Sequence, residues 1–392
     1  MNENNPLSPC GVYIHIPFCH SKCVYCDFYS LSSVGKKREL LDCLHKEIAS
    51  RAGEWRDYRV ATIYIGGGTP SLLGGEEICS LMECVRGCMN VSPDAEITIE
   101  ANPDDVTSIK TRQWMDAGIN RVSIGVQSFY DETLKKIGRR HTGKRAYEAI
   151  DIIRTSGIEN VSVDIIYGIP ERSDEHLIED IHRAVTSGAK HISAYALTRE
   201  EGTVMDKMIK RGTFPPLDEE MMESQYHIVC DELEKAGFTH YEVSNFALEG
   251  YRSIHNSAYW KRVPYIGIGP SAHSFCGDKR RWNVSSVGGY IKGMNDAAEY
   301  WEQESLTWRD VHNEIVMTSL RCVEGVDLDD IRERFGEEYV ERIKSLSARY
   351  VDEGLVVLEK DRLCLTRRGV FLSDGIEADL FLTDDDSLNN KA

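Results

Sequence analysis

Cys19, Cys23 and Cys26 fall within eight positions of "HIPFCHSKCVYCDFYS", residues 15 to 30, and they are the side chains of this sequence best suited to chemistry. Thiolates select soft metals, so the C-x3-C-x2-C spacing points to zinc or to an iron-sulfur cluster. A structural zinc site closes a tetrahedron, usually from two short hooks. Here there is one hook, with His15 or His20 as nearby sources of a fourth ligand. Three thiolates on one loop also suit a four-iron cubane, whose fourth iron would then take its ligand from solution. The other nine cysteines, Cys43, Cys79, Cys84, Cys88 and Cys230 among them, lie between apolar residues and are expected to be small core side chains.

A second group of residues stands at the ends of apolar runs: Gly66 to Thr69, Glu100, Asn102, Gln127, Asp164 and Tyr195. Consecutive glycines let backbone amides approach a ligand closely, and Gly66, Gly67 and Gly68 lack the lysine that a phosphate-cradling loop needs. The runs themselves are "GVYIHIP" (11 to 17), "ATIYIGGG" (61 to 68), "EITIEANP" (96 to 103), "RVSIGVQS" (121 to 128), "VSVDIIYGIP" (161 to 170) and "HISAYALT" (191 to 198). Stretches with helical periodicity, such as "LLDCLHKEIA" and "HLIEDIHRAVTSG", separate them. Six strand-helix units imply parallel strands joined by right-handed crossovers. Because the polar and glycine residues gather at the C-terminal ends of the strands, a partial (β/α)6 barrel, whose strand ends converge on one mouth, is expected rather than an open sheet.

That α/β barrel is expected over residues 1 to 240, with a smaller, mainly helical domain over 241 to 392. In the second part "YEVSNFA", "HNSAYW" and "YIGIGPSAHSF" read as short extended pieces, with helices from about 285 to 350. The tail from Leu328 to Val370 has the order of a winged-helix unit, two helices and a hairpin. Its longer helix carries Glu337, Glu338 and Glu341, with Asp352 and Glu353 beside them, a poor surface for nucleic-acid phosphates. "GIGPSA" fits G-x-G-x-x-A at Gly267, Gly269 and Ala272, but Pro270 and the lack of a following βαβ unit argue against a dinucleotide site.

Composition narrows the function classes. The chain has 392 residues, 41% hydrophobic and 28% charged, with a formal net charge of -18, which disfavours nucleic acid as a partner. No run approaches the roughly 18 apolar residues of a membrane span. The opening "MNENNPLSPC" lacks the pattern of a secretory signal, so a cytoplasmic protein with reduced cysteines is expected.

Several stretches match one family in order. The cysteine loop with Tyr25 before its last thiol, "YIGGGTPSLL", "IEANPD", "GINRVSIGVQSF", "IGRRHT", "VDIIYGIP" and "GIGPSAHSF" resemble the motifs of the oxygen-independent coproporphyrinogen III oxidase family of the radical SAM superfamily. The resemblance runs from Gly11 to about residue 375. It implies a [4Fe-4S] cluster on Cys19, Cys23 and Cys26, with the amino and carboxylate groups of S-adenosylmethionine (SAM) on the fourth iron. It further implies a SAM site formed by Tyr13, Tyr25, Gly67, Gly68, Thr69 and Glu100, the glutamate accepting from ribose hydroxyls. Gln127, Arg139 and Asp164 match positions that contact a second SAM molecule in the oxidase.

Two departures separate branches of that family. Phe28 stands where the oxidase carries a further cysteine, and only 18 residues precede Cys19, where the oxidase has a longer extension. "HNSAYW" resembles the H-N-x-x-Y-W motif of the family's haem-chaperone branch, which implies His255 as a ligand to haem iron and Tyr259 and Trp260 as flat surfaces for the porphyrin. The implied function is a haem chaperone that passes haem to haem-requiring apoproteins, membrane-associated ones included, from the cytoplasm or the membrane periphery. A homodimer is left open. The alternative is a coproporphyrinogen III oxidase in which a 5'-deoxyadenosyl radical abstracts hydrogen from propionate side chains.

Overall fold

The computed structural model describes residues 7–383. The opening residues 1–6, part of the segment read for a secretory signal, lie outside the described residues.

The six apolar runs form β1 (Ser8–Ile16), β2 (Tyr58–Gly67), β3 (Val91–Ala101), β4 (Arg121–Gln127), β5 (Asn160–Tyr167) and β6 (His191–Ala196). Each pairs in parallel with the next. Between them run α1 (Lys37–Arg51), α2 (Gly75–Cys88), α3 (Ser108–Asp116), α4 (Asp131–Lys136), α5 (Gly143–Ser156) and α6 (Asp174–Thr186). Side chains alternate across each strand. One set, including Val12, Ile14, Ile16, Ile63, Ile65, Ile99, Val122, Ile124, Val161 and Val163, is fully buried in the main core. The alternate set is polar: Tyr13 and His15 on β1, Thr62 and Tyr64 on β2, Glu96, Thr98 and Glu100 on β3, Arg121 and Ser123 on β4, Asp164 on β5, His191 and Ser193 on β6. Residues of five strands, β2 to β6, line one cavity, which requires the sheet to curve around it as a partial barrel.

Local signals place the helices. Thr142 accepts a hydrogen bond from the Arg145 amide to start α5, and Gly157, at φ 111°, ends it in the left-handed conformation that glycine adopts without strain. Ser173 caps α6 in the same way through the His176 amide.

Past β6 the chain adds α7 (Val204–Lys210), α8 (Glu219–Lys235), β7 (Thr239–Glu242), β8 (Asn245–Ala247), α9 (Ile254–Trp260), β9 (Tyr265–Ile268), β10 (His273–Cys276), β11 (Lys279–Asn283), α10 (Val287–Asp296) and β12 (Trp301–Ser305). These strands extend the barrel sheet at both sides, in the order β12-β11-β10-β9-β1-β2-β3-β4-β5-β6-β8-β7. The division expected at residue 241 therefore falls inside a single sheet. Phe246, Ile266, Ile268, Val287, Tyr290 and Ile291 are buried in the same core as β1 to β6. A separate apolar core begins with α11 (Trp308–Leu320). It continues through β13 (Val326–Asp327), α12 (Leu328–Phe335), α13 (Glu337–Asp352), β14 (Val356–Glu359) and β15 (Arg362–Leu365), whose strands form a small sheet in the order β13-β15-β14.

"HNSAYW" is the helix α9, not an extended piece. Ser253 caps it through the Asn256 amide, and the Glu96 carboxylate accepts from the Ile254 and His255 amides at 3.1 and 2.9 Å. Glu96 lies 158 residues upstream of Ile254, so nothing local in the sequence announces this cap.

The "GIGPSA" turn also has a structural explanation. Buried Glu47 of α1 accepts from the Gly269 amide at 2.8 Å and the Tyr290 hydroxyl at 2.7 Å. Arg51 donates to the Gly267 carbonyl at 2.8 Å. A Cβ at Gly267 would lie 2.0 Å from the His273 carbonyl oxygen, so glycine is there for close packing.

All twelve cysteines are free; of the nine outside the first loop, Cys10, Cys43 and Cys230 are buried and the other six are half-buried. Among the described residues no helix is long and apolar enough to cross a membrane.

Candidate functional site

At the C-terminal ends of β2 to β6 opens a cavity of about 410 Å³. The cysteine loop forms one wall. It leaves β1 at Pro17 and returns at Leu31, closed by hydrogen bonds from the Leu31 amide to the Pro17 carbonyl (2.6 Å) and from the Cys19 amide to the Leu31 carbonyl (2.9 Å). Cys19, Cys23 and Cys26 all line the cavity. The Thr69 hydroxyl donates to Cys19 Sγ at 3.4 Å, and Arg139 Nη1 donates to Cys23 Sγ at 3.5 Å. Burial pushes the Cys26 thiol up to about 11.

The glycines join this loop to the end of β2. The Gly68 amide donates to the Ile16 carbonyl and the Thr69 amide to the Phe18 carbonyl, both at 2.8 Å. A Cβ on Gly68 would lie 2.7 Å from the Phe18 carbonyl oxygen, and one on Gly67, at φ +111°, would lie 2.5 Å from the His15 ring. The Gly67 amide donates to Glu100 Oε2 at 3.0 Å, while the Tyr64 hydroxyl donates to Oε1 at 2.9 Å. Glu100 faces the cavity from deep in the barrel, and burial pushes its carboxyl up to about 7 against the pull of the Tyr64 hydroxyl. Asp164 is pushed up to about 6, again by burial, with the Ser193 hydroxyl and Arg121 opposing.

Gln127 and Arg139 complete the mouth. Gln127 sits at φ 69°, a conformation that costs a non-glycine residue energy, and its buried Oε1 has no hydrogen-bond partner. Arg139 donates to the Gly125 carbonyl, but its Nε is likewise buried without a partner. Tyr25 belongs to the cavity wall too. Tyr13 is set back, its hydroxyl on His15 Nδ1 at 2.9 Å and its ring stacked on Tyr64 at 6.2 Å.

The donor set fits a cluster better than a single ion. Around one zinc, thiolates at about 2.3 Å must nearly touch one another. Among the described residues no trio of His, Cys, Asp or Glu side chains closes to that degree. Corners of a cubane lie farther apart, because each thiolate takes a different iron. The neighbouring histidines are not aimed at the thiols: His15 is held by Tyr13 and the Tyr29 carbonyl, and His20 faces Asp105 at 3.8 Å.

The structure does not bring the "HNSAYW" residues to this mouth. His255 is 2% exposed, behind Tyr64 and outside the cavity lining. Both of its ring nitrogens are engaged, Nδ1 with Thr62 Oγ1 at 2.8 Å and Nε2 with Tyr259 OH at 2.9 Å. Its ring stacks on Tyr64 at 5.1 Å, and burial holds its pKa down to about 3. Trp260 faces the Arg321 guanidinium at 5.0 Å. In this conformation His255 has no lone pair free for iron, so the open axial ligand expected from the motif is instead a packed, fully bonded side chain.

Tyr64, Ser123 and Arg140 also line the cavity, and the sequence reading passed over them. Tyr64 could have been found: it lies two residues before Gly66, on the same face of β2, and so points inward with it.

A radical SAM superfamily model matches residues 13–184, and a HemN C-terminal domain model matches residues 306–372. The heme chaperone HemW of Mycobacterium tuberculosis is 37% identical over 377 residues, covering 95% of this chain and 94% of that protein. The chain belongs to the HemW family. The Bacillus subtilis heme chaperone HemW is 34% identical, covering 93% of this chain and 97% of its own. The fold is similar to that of the Escherichia coli coproporphyrinogen III oxidase HemN. That structure superposes with a TM-score of 0.84 at 23% identity, over 97% of this chain and 91% of its own, and establishes the fold. Membership of the radical SAM superfamily carries with it a [4Fe-4S] cluster and SAM.

Proposed function

We propose that this HemW-family chain binds haem and passes it to haem-requiring apoproteins, membrane-associated ones included, using a barrel that holds a [4Fe-4S] cluster and SAM at its mouth. The cluster would be held by Cys19, Cys23 and Cys26 and would supply an iron that SAM can chelate. This chain's own residues do the rest. Gly67 and Gly68 bring the β2 backbone flush with the loop, Glu100 is presented to the ribose by Tyr64 and Gly67, and Gln127, Arg139 and Asp164 offer polar groups across the cavity. The division of labour we infer runs at about residue 305, with the barrel sheet before it and the separate core after it.

The observation that carries the haem reading is Phe28. It is 68% exposed on the cavity rim, two residues beyond the last cysteine, and offers a flat apolar face where the oxidase motif has a thiol. His255 serves as an iron ligand in this reading only after its ring gives up a bond to Thr62 or to Tyr259.

The test is anaerobic reconstitution followed by paired assays. Stable haem binding, haem transfer to a haem-free acceptor, and no decarboxylated product from coproporphyrinogen are expected. Product formation with SAM cleavage would replace this reading with the oxidase. Equal transfer rates from wild type and His255→Ala would remove His255 from the haem path.

A further inference from the structure

The ribose-facing carboxylate of the barrel is held from below. Tyr64 and Glu100 both project from their strands into the barrel, and the Tyr64 hydroxyl spans them at 2.9 Å. Gly66 packs against the Tyr64 ring from the next inward position, where a Cβ would lie 2.7 Å from Tyr64 Cε1. Tyr13 stacks against it at 6.2 Å with a 28° tilt, and His255 stacks at 5.1 Å with a 24° tilt. His255 is in turn locked by Thr62, one inward position before Tyr64 on the same strand, and by Tyr259 one helical turn along α9. Glu96 fixes α9 by accepting from the Ile254 and His255 amides. A continuous column thus runs from the α9 backbone through His255 and Tyr64 to Glu100.

We propose that Tyr64 is a positioning residue for the SAM ribose, and that His255 acts with it by clamping the tyrosine ring, so that the "HNSAYW" helix serves the SAM site through the barrel floor. This rests on the reading above that Glu100 accepts from the ribose hydroxyls. Tyr64 touches Glu100 and need not touch SAM. The column also explains why a fully buried imidazole with both nitrogens satisfied belongs here: a flat ring with two fixed hydrogen bonds cannot rotate, so the phenol above it is held in one rotamer.

The test uses reconstituted protein matched for iron content, with SAM affinity read by equilibrium dialysis between pH 6 and 9. Glu100→Ala is the reference and should lose ten- to a hundredfold, the magnitude expected of hydrogen bonds to a charged group. Tyr64→Phe keeps the stack and removes only the hydroxyl; roughly three- to tenfold weaker binding is expected. Because the hydroxyl pulls the Glu100 carboxyl down, its removal should also move the pH midpoint of SAM affinity upward. The other groups facing Glu100 are unchanged in that variant: Tyr13, Arg121, Asp164, Tyr195, Tyr259 and the Gly67 amide. A merely structural role for the hydroxyl would lower affinity without moving that midpoint.

His255→Leu should weaken SAM several-fold, and the double variant should lose less than the product of the single losses, as for groups acting in series. If His255→Leu does not fold, His255→Gln takes its place in the cycle. If Glu100→Ala matters while Tyr64→Phe matches wild type in affinity and midpoint, this inference is overturned and the SAM site stands. If losses multiply independently, His255 does not act through Tyr64. If Glu100→Ala binds SAM like wild type, the SAM-site reading itself falls.

Discussion

The mouth and the floor of this barrel are built from the same residue types and do opposite things with them. On the floor, His255 and His191 each have both ring nitrogens bonded, the latter to Ser162 Oγ and Tyr241 OH at 2.8 Å each, and Glu96 is filled by two helix amides. At the mouth, Gln127 Oε1 and Arg139 Nε are buried with no partner, and the carboxyls of Glu100 and Asp164 are displaced towards neutrality. Away from the mouth, Thr98 Oγ1, Arg121 Nε, Asn245 Oδ1 and, on α9, Trp260 Nε1 are exceptions. A buried polar group left unsatisfied costs roughly 1–3 kcal/mol, a cost that a ligand bound at the mouth would repay. Between His255, His191 and Glu96 on the floor and Gln127 and Arg139 at the mouth, the difference lies in hydrogen bonding and not in residue type.

The contrast can be broken at either end. The largest effect is expected from the triple Cys19, Cys23 and Cys26 to Ser variant, which should retain almost none of the iron and sulfide of reconstituted wild type; a full complement would refute the cluster assignment. On the floor, Glu96→Ala strands two amides of α9 in a buried setting. It should lower unfolding free energy by ~3 kcal/mol, read as a lower urea midpoint at unchanged slope. At the mouth the same change, Glu100→Ala, should leave the urea midpoint near wild type while SAM binding falls ten- to a hundredfold. Matching stability losses at the two glutamates would erase the distinction.

The remaining effect is one of pH. The Asp164 carboxyl is raised by burial to about 6 from an ordinary value of 3.8. Between those values the unfolded chain releases this proton and the folded chain keeps it. Its contribution to stability is therefore whole below the ordinary value, declines as pH rises through the window by up to about 1.4 kcal/mol per pH unit, and levels off above it. Asp164→Asn should remove that part of the decline, measured by urea unfolding at a series of pH values.

How much of this was legible beforehand varies along the chain for physical reasons. Strands β1 to β6 announced themselves because each carries a full apolar face against the helices, and the cysteines because their spacing admits few chemistries. Strands β11 and β12 did not. "KRRWN" of β11 and "WEQES" of β12 lie on an exposed margin of the sheet, where no apolar alternation is required. The α9 helix was misjudged because its cap comes from Glu96 on a distant strand, and the bonded state of His255 was not legible because a ligand-type residue beside aromatics looks the same whether its nitrogens are free or taken. Glu100 was recognisable from "IEANPD", whereas Tyr64, which holds it, could be found only through the inward alternation of β2.

The pairing of β1 has a consequence for how the protein is made. One edge of β1 meets β2 soon after it is synthesised, but the other meets β9, about 250 residues later. At ribosomal rates of about 5–20 residues per second, that edge waits on the order of 10–50 s for its neighbour. Throughout that interval a bare row of backbone amides and carbonyls leads directly into the three-thiol loop. Chains released short of Tyr265 should therefore associate through β1, and the cell must guard both an adhesive edge and three reactive thiols on the same nascent segment.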